Sequence, residues 1–322
     1  MEVYPLKFHP IFKQRLWGGN KLRTFLGKDV SGEDIGESWE LSGVAGDVSV
    51  IANGPYAGKS LWELIETFPE GLLGTGVLER FGTEFPILIK FLHAREDLSI
   101  QLHPGDDLAR RRHNSFGKTE MWYILDAEPG SELIIGFNRD VSREEYLQAL
   151  EGGKLLDLLH YEPVREGDAF FINNGKIHAI GGGIVLAEIQ QSSDVTYRIY
   201  DFDRRDANGN LRELHTELAL EAMDFQQKDD FRRSYGRKRN QPNPMVDSAY
   251  FKTAYLEVDK NLERDLRGRK AFTIFLCVGG QAVIAVDGQA VQVRMGETVL
   301  VPAAAGSVQI NSGGCRLLEV SP

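Results

Sequence analysis

Cysteines, long apolar runs and an N-terminal leader pattern are scarce or missing in this sequence of 322 residues. The two cysteines, Cys277 and Cys315, are too few for a disulfide framework and fit buried free thiols in a reducing compartment. No apolar run approaches the roughly 20 residues needed to cross a bilayer. The first residues carry no basic stretch followed by an apolar core, so we expect no signal peptide. These absences predict a cytoplasmic protein with no membrane partner.

Positive charge is in the minority, since 37 Lys and Arg stand against 47 Asp and Glu and give a formal net charge of -10. An acidic surface repels a phosphate backbone, which argues against a nucleic-acid partner. One basic cluster, residues 232–239, follows an acidic stretch and precedes a segment rich in Asn and Pro. We interpret this cluster as a solvated linker. The expected partner is therefore a small molecule, and the expected assembly is a monomer or a weak homodimer.

Many short strand patterns, separated by some of the 34 glycines, fill most of the chain. Apolar runs and apolar–polar alternation predict strands at 85–92, 98–104, 121–125, 133–137, 169–172, 184–190 and 196–200. Helical spacing predicts helices at 60–68, 142–150 and 213–223, and Ser142 with Glu145 resembles a capping box. Many short strands joined by turns predict a mainly β sandwich or barrel of the jelly-roll type.

A domain boundary is predicted at the Pro- and Asn-rich segment 241–244. Beyond it, residues 271–286 and 290–301 alternate strongly and are separated by Val286-Asp287-Gly288, a hairpin turn signal. We therefore predict two domains. The first covers residues 1–240 and includes a small helical insert at about 140–160, and the second is a smaller all-β unit at 241–322.

Histidine is scarce, with seven residues in all, so its placement is informative. Gln101 and His103 lie two apart on a predicted strand, which puts both side chains on one face. Glu120 opens the next strand after a tight turn, and His178 follows a later turn. Two imidazoles, a carboxylate and an amide oxygen suit a divalent first-row metal. Zinc best fits this mixture, with positions left open for water or substrate.

The segment before His178 is similar to the second signature of cupin barrels, G-x5-P-x-G-x2-H. Gly167, Gly175 and His178 match it, while Asn173 stands at the usual proline position. In this arrangement the strand brings the chain to the barrel wall and the turn reverses it. His178 then points inward beside ligands from the neighbouring strand. The resemblance implies a cupin-like jelly-roll barrel for the first domain.

The C-terminal domain carries a degenerate copy of the same signature. The segment from Gly296 to Pro302 fits G-x5-P, but Ala304 and Ser307 stand at the glycine and histidine positions. The sequence contains no histidine after His215. We therefore expect a second cupin-like barrel that keeps the fold without the metal site, and hence one metal ion per chain.

Six segments carry a wider resemblance. In chain order they are WGG at 17–19, GESWE at 36–40, LSIQLHP at 98–104, GKTEMWY at 117–123, HAIGGG at 178–183 and AEIQQSSDVTYRIYD at 187–201. Together they resemble the motifs of type I mannose-6-phosphate isomerases (phosphomannose isomerases), in that family's order. Only a small helical insert separates Glu120 from His178, which is similar to the compact bacterial branch. The resemblance covers residues 5–215 and extends more weakly into the C-terminal barrel.

This resemblance implies a zinc enzyme that interconverts mannose 6-phosphate and fructose 6-phosphate through an enediol or enediolate. Arg198 takes the position of the catalytic arginine, and Lys118 takes that of an active-site lysine. The implied metal positions fall on Gln101, His103, Glu120 and His178. Among these ligands Gln101 is the one that water could replace, because an amide oxygen is a weaker ligand than imidazole or carboxylate.

An arginine stays protonated at any working pH, so Arg198 is expected to stabilise the enediolate or to orient the substrate. A salt bridge from Arg198 to Asp194 or Asp201 is the alternative. The phosphate of the substrate needs cations in a protein of negative net charge. The candidates are Lys118, which we favour, and Lys90, Lys176 and Arg204.

The proton-shuttling base stays open among Glu188, Lys118 and metal-bound water. Lys90 and Glu188 are weaker candidates for substrate binding. Trp17 is expected to be either a pocket wall or a core residue.

Two other classes of protein share the three ligands. Two histidines and one carboxylate also describe non-haem iron oxygenases, although an oxygenase has no reason to carry the segment 190–198. A non-catalytic sugar-phosphate-binding cupin is the third class. Such a protein could lose the metal set, whereas this sequence keeps all of it.

Overall fold

The computed structural model describes residues 1–206 and 208–322, and it is mainly β, as the sequence predicts. The strands are β1 Ile11–Gly19, β2 Ile35–Leu41, β3 Ile87–Ala94, β4 Ile100–Leu102, β5 Glu120–Ala127, β6 Glu132–Phe137, β7 Leu159–Pro163, β8 Ala169–Ile172, β9 His178–Ile180, β10 Ile184–Gln191, β11 Tyr197–Tyr200, β12 Asn243–Asp247, β13 Lys252–Val258, β14 Leu262–Asp265, β15 Thr273–Val286, β16 Gln289–Arg294, β17 Thr298–Val301, β18 Ser307–Asn311 and β19 Cys315–Ser321. The α-helices are α1 Lys21–Thr24, α2 Leu61–Thr67, α3 Pro69–Leu73, α4 Thr75–Phe81, α5 Asp106–His113, α6 Arg143–Glu151 and α7 Thr216–Ala222, and short 3-10 turns cover Gly54–Tyr56 and Leu155–Leu158. Within the described parts of the chain, no helix has the length and apolar character needed to cross a membrane.

Strands β1 to β11 form the two antiparallel sheets of the first barrel. The larger sheet has the order β1-β2-β3-β10-β5-β8, and the smaller has the order β11-β4-β9-β6-β7. In the larger sheet, Glu188 of β10 lies opposite both Lys90 of β3 and Trp122 of β5. In the smaller sheet, Gln101 of β4 lies opposite His178 of β9. These registers bring the polar residues that the motifs single out to the middle strands of both sheets.

The larger sheet is covered on both faces, and strand β5 shows how. Trp122 and Ile124 pack in the core of the first barrel, whereas Met121 and Tyr123 face a second core that includes residues of the C-terminal strands. Successive side chains on a strand point to opposite faces, so a strand buried on both faces has little room for solvated polar residues. The first six residues of β5 are accordingly all buried.

Strands β12 to β19 form one sheet of eight strands. Its order is β12-β13-β19-β15-β18-β14, and β16 and β17 also pair with β15. Strand β15 is 14 residues long, so different parts of it pair with four neighbours. Asp287 and Gly288 join β15 to β16 with φ angles of 49° and 83°. This confirms the predicted hairpin, since a type I′ turn requires positive φ at both central residues.

The helices at 60–68 and 142–150 are confirmed as α2 and α6, with different capping. Ser60 and Glu63 form a reciprocal capping box at α2. At α6, Ser142 Oγ accepts a hydrogen bond from the Glu145 amide at 3.1 Å, but the Glu145 carboxylate binds Arg139 instead of returning to the cap. The predicted capping box is therefore only half formed. Cys277 and Cys315 are buried and free, as predicted.

The two barrels share a hydrophobic core. Leu6 and Leu300 exchange backbone hydrogen bonds of 2.8 and 2.9 Å. Phe85 and Phe272, both buried, stack with ring centroids 4.9 Å apart. One apolar cluster includes residues of both barrels. The division at residues 240 and 241 stays a prediction, and the shared core implies that the two barrels stabilise one another.

Removing the Phe272 ring is expected to destabilise both barrels together. Phe272→Ala should lower the free energy of unfolding by about 3–5 kcal/mol, because it deletes a fully buried ring and leaves a cavity. Urea unfolding followed in parallel by tryptophan fluorescence, which reports the first barrel because all four tryptophans lie there, and by far-UV circular dichroism, which reports both barrels, would measure this. Val283→Ala, at a side chain that is 38% exposed in the same barrel, is the control and should stay within about 0.5 kcal/mol of the parent. A loss confined to a separate C-terminal transition would contradict the shared core.

Candidate metal centre and active site

The two sheets of the first barrel enclose a cavity of about 370 Å³. Six residues that the sequence singles out line it: Trp17, Lys90, Gln101, Lys118, Glu188 and Arg198. Trp17 is 4% exposed and also packs in the barrel core, so both expectations for it hold. A larger cavity of about 660 Å³ lies beside α2 and α5 and contains none of the predicted metal or catalytic residues. The smaller cavity is therefore the candidate active site.

His103, Glu120 and His178 come together beneath this cavity. Each offers one ligand atom, and these atoms lie within 4.8 Å of one another. His103 follows β4 directly, Glu120 begins β5, and His178 begins β9, so the cluster joins both sheets. All three side chains are buried. This cluster could hold a metal ion.

Backbone carbonyls fix the orientation of the two imidazoles. His103 Nδ1 lies 2.9 Å from the Val195 carbonyl, and His178 Nδ1 lies 2.9 Å from the Lys176 carbonyl. Both Nε2 atoms therefore face Glu120, at 3.6 Å and 3.5 Å. Burial lowers the pKa of His103 well below its usual value and that of His178 to about 4. Both rings are then neutral, the form in which imidazole binds metals.

Two atoms of the cluster lack hydrogen-bond partners. Glu120 Oε1 and His178 Nε2 are buried and have no partner among the described residues. A buried polar atom without a partner is costly, so such atoms usually serve a ligand, a water molecule or an ion. Two neutral imidazoles and a carboxylate form a donor set that first-row divalent metals accept. The residues present therefore fit a metal ion.

Lys118 lies between the cavity and the cluster. Its ammonium is 2.9 Å from His103 Nε2 and forms a short ion pair with Glu120 Oε2. The ammonium group therefore already interacts with two of the atoms that a metal ion would bind. One imidazole lone pair cannot serve both, so metal binding requires Lys118 to release His103. The predicted active-site lysine is in the site, in direct contact with two of the proposed ligands.

Gln101 lies next to the cluster without joining it. Its backbone pairs with His178, and its side chain lines the cavity. Its Oε1 accepts a weak hydrogen bond of 3.3 Å from Ser99 Oγ. A role for Gln101 as a fourth ligand stays a prediction.

Lys90 and Glu188 form a buried ion pair on the wall of the cavity. Lys90 Nζ is 3.0 Å from Glu188 Oε1, and Trp122 Nε1 donates to Glu188 Oε2 at 3.0 Å. Burial alone would raise the pKa of Glu188, but Lys90 and Lys118 outweigh it and lower that pKa to about 2. Lys90 is therefore neutralised by a permanently ionised carboxylate.

Arg198 is on β11, and its side chain lines the cavity. Its Nη1 donates to the Glu213 carbonyl at 2.8 Å, and its Nε is buried without a partner among the described residues. Within the described chain it forms no salt bridge with Asp194 or Asp201, so that alternative is wrong. Burial, and then the charge of Arg212, lower the pKa of Arg198.

Two of the proposed phosphate-binding cations are engaged elsewhere. Lys176 Nζ pairs with Asp230 at 2.6 Å, and Arg204 Nη2 pairs with Asp201 at 2.6 Å. Neither side chain lines the cavity. The proposals for Lys176 and Arg204 are therefore wrong, because neither side chain reaches the cavity: Lys176 is bound by Asp230, 54 residues away, and Arg204 by Asp201, three residues before it.

Two family models match this chain. Residues 6–136 match "Phosphomannose isomerase type I, catalytic domain", and residues 243–322 match "Mannose-6-phosphate isomerase, cupin domain". Mannose-6-phosphate isomerase ManA of Bacillus subtilis (strain 168) is 35% identical over 314 residues, which cover 96% of each protein. The chain belongs to the type I mannose-6-phosphate isomerase family. The predicted family and the prediction of an isomerase are thus confirmed.

Further relatives of this family agree. Mannose-6-phosphate isomerase of Streptococcus mutans is 41% identical over 219 residues, 68% of this chain and 67% of that protein. The crystal structure of the Bacillus subtilis mannose 6-phosphate isomerase covers 99% of both chains with a TM-score of 0.90 and 31% identity. The apo form from Salmonella typhimurium, at 18% identity and a TM-score of 0.77, supports the fold alone.

The isomerase cavity also contains residues that the sequence analysis did not propose for the site. Glu37 accepts hydrogen bonds of 2.6 Å from both Arg15 Nε and Trp39 Nε1, and all three line the cavity. Lys90 and Arg15 outweigh the effect of burial and lower the pKa of Glu37. Arg15 stands two residues before Trp17, so strand alternation could have placed it on the same face. Arg212 also lines the cavity, and no sequence pattern around it indicates this position.

Proposed function

We propose that this chain interconverts mannose 6-phosphate and fructose 6-phosphate as a zinc-dependent aldose–ketose isomerase. The observation that carries the proposal is the buried cluster of two neutral imidazoles and one carboxylate, with two unpartnered atoms, beneath a cavity rich in cations. His103, Glu120 and His178 would hold the metal, with Gln101 as a further ligand. The names of the relatives support the substrate. The cytoplasm as compartment, and a monomer or weak homodimer as assembly, stay predictions.

The reaction moves a proton between two neighbouring carbons through an enediol or enediolate. When bound, the zinc ion supplies Lewis-acid polarisation of the substrate's oxygens. Arg198 is assigned to orientation of the substrate and to stabilisation of its negative charge, since a guanidinium stays protonated. Trp17 forms an apolar wall that excludes water from one side of the cavity.

Among the protein's own candidates for the base, Lys118 is favoured over Glu188. A general base works best when its pKa lies near the working pH, and Glu188, with a pKa of about 2, is too weakly basic. Its oxygens are also engaged by Lys90 and Trp122. We assign Glu188 to the fixing of Lys90, and we assign Lys118 to proton transfer once it has released His103.

Removal and return of the metal is the direct test. Chelation of the purified protein should abolish activity on mannose 6-phosphate, and added zinc should restore it. The readout is an assay coupled to the conversion of fructose 6-phosphate to glucose 6-phosphate, with metal content measured in parallel. Full activity in protein shown to be metal-free would rule out the metal-dependent mechanism.

Assays on the same purified protein distinguish the isomerase from the two other classes, the oxygenase and the non-catalytic cupin. Oxygen consumption with iron as the active metal would favour the oxygenase. Tight binding of mannose 6-phosphate without any turnover, in metal-replete protein, would favour the non-catalytic cupin.

A further inference from the structure

The cations of the cavity divide into two groups. Three of them, Arg15, Lys90 and Lys118, each pair with a carboxylate, namely Glu37, Glu188 and Glu120. These three pairs carry almost no net charge. Arg198 and Arg212 also line the cavity; Arg212 pairs with Asp201, but Asp201 is shared with Arg204, so an excess of positive charge remains among these residues.

Arg212 is held along one edge of its guanidinium. Its Nε donates to Asp201 Oδ2 at 2.6 Å, and its Nη2 donates to Asp201 Oδ1. Its Nη1 makes no hydrogen bond among the described residues. Asp201 is only 5% exposed and also accepts from Arg204 Nη2 at 2.6 Å, so it is anchored from a second side. The remaining edge of Arg212 is thus fixed in direction and free to bind a ligand.

Arg198 and Arg212 are two guanidinium cations beside one cavity. Arg198 forms no salt bridge in the described chain; burial and then the charge of Arg212 lower its pKa, and the charge of Asp201 offsets part of this effect. Asp194, an exposed residue that also lines the cavity, forms no salt bridge with either arginine. Like charges that face the same space repel, and an anion bound between them relieves that repulsion.

The spacing of the strands places the backbone of Arg198 away from the metal cluster. Arg198 of β11 lies opposite Gln101 of β4, which lies opposite His178 of β9. Adjacent strands are about 4.8 Å apart, so the backbones at Arg198 and His178 are about 10 Å apart. A hexose phosphate has its reacting carbons at one end and its phosphate at the other, and it can extend across such a span.

We propose that Arg212, together with Arg198, binds the phosphate group of the substrate, and that Asp201 positions Arg212 for this contact. The assignment rests on the proposed isomerase function and gives the substrate a direction in the cavity. The reacting carbons lie toward His103, Glu120 and His178. The phosphate is bound by planar guanidinium groups, which suit its bidentate geometry.

Arg212→Gln tests this assignment without breaking the fold, because Arg204 still pairs with Asp201. We expect the kcat/KM for mannose 6-phosphate to fall about 10- to 100-fold, mostly through KM, as for loss of a charged hydrogen bond. The ratio of this kcat/KM to that for unphosphorylated mannose should fall by a similar factor. Arg205→Gln is the matched control, since Arg205 lies in the same loop and is exposed, and its side chain bonds only the Gly209 carbonyl among the described residues. An unchanged ratio in Arg212→Gln would overturn the proposal.

Inorganic phosphate gives a second test that does not depend on turnover. Its binding to the zinc-loaded protein, measured by calorimetry, should weaken at least 10-fold in Arg212→Gln and stay unchanged in Arg205→Gln. Binding that persists in Arg212→Gln would place the phosphate elsewhere and refute the assignment. If the parent protein binds phosphate through Arg212 but does not isomerise mannose 6-phosphate, the proposed function fails while the anion site stands.

Discussion

Replacement of His178 by alanine is expected to remove isomerase activity and bound zinc together. The substitution deletes one of three ligand atoms in a fully buried site, and the backbone carbonyl that orients the ring can provide no substitute. Even outer-shell partners of a metal ligand are worth about 10- to 100-fold in affinity, so loss of the ligand should cost at least about 100-fold. Metal content after dialysis and the coupled assay provide the two measurements.

His160→Ala is the matched control for this experiment. His160 lies on β7 of the same five-stranded sheet, and its ring is half-buried beside Glu162, outside the cavity. The control should keep its zinc and its turnover. A His178→Ala protein that retains full metal content would show that His178 is not a ligand.

Replacement of Arg198 by alanine is expected to separate the two measurements. Turnover should be lost, as in His178→Ala, but the metal should be retained. Within the described chain, the Arg198 side chain forms no hydrogen bond or ion pair with the three cluster residues, and its Nη1 donates to the Glu213 carbonyl. Arg198 is assigned to hold the substrate at a distance from the metal cluster, and a misplacement of the reacting carbons by about 1 Å can cost about 10²-fold in rate. Steady-state kinetics with metal analysis on the same sample would test this.

Arg198→Lys separates charge from geometry at the same position. Lysine keeps the positive charge but loses the planar fork, so we expect only partial recovery. Unchanged turnover in Arg198→Ala would remove Arg198 from the mechanism. Loss of zinc in that variant would instead mean that the residue supports the metal cluster.

The three metal-binding candidates could be found from the sequence because short local patterns determine where they lie. The turns at Gly167 and Gly175, on either side of β8, set the position of His178 at the start of β9, and the turn before Glu120 does the same for β5. The predicted strand 98–104 was too long, since only Ile100–Leu102 is regular and the chain leaves the sheet at His103-Pro104. Even so, His103 lies beside the other two.

The partners of the charged residues could not be found in this way. Arg15 binds Glu37, 22 residues away, and Lys90 binds Glu188, 98 residues away. Arg212 binds Asp201 across a loop that carries no strand or helix pattern. Such pairs depend on how the strands lie beside one another, and sequence periodicity reports only which face of a strand a residue occupies. For the same reason the sequence does not distinguish cations that face the cavity from those neutralised elsewhere.

The core shared by the two barrels joins the C-terminal barrel, which lacks a histidine, to the sheet that carries Glu120. The face of the larger sheet opposite the cavity packs against C-terminal residues, with Thr253 Oγ1 at 3.1 Å from Met121 Sδ and Tyr255 stacked on Tyr123. Met121 and Tyr123 alternate along β5 with Glu120 and Trp122, which face the site. The second barrel therefore supports this sheet from the face opposite the cavity. We expect substitutions at these contacts to alter the positions of Glu120 and Trp122 without changing any residue that lines the cavity.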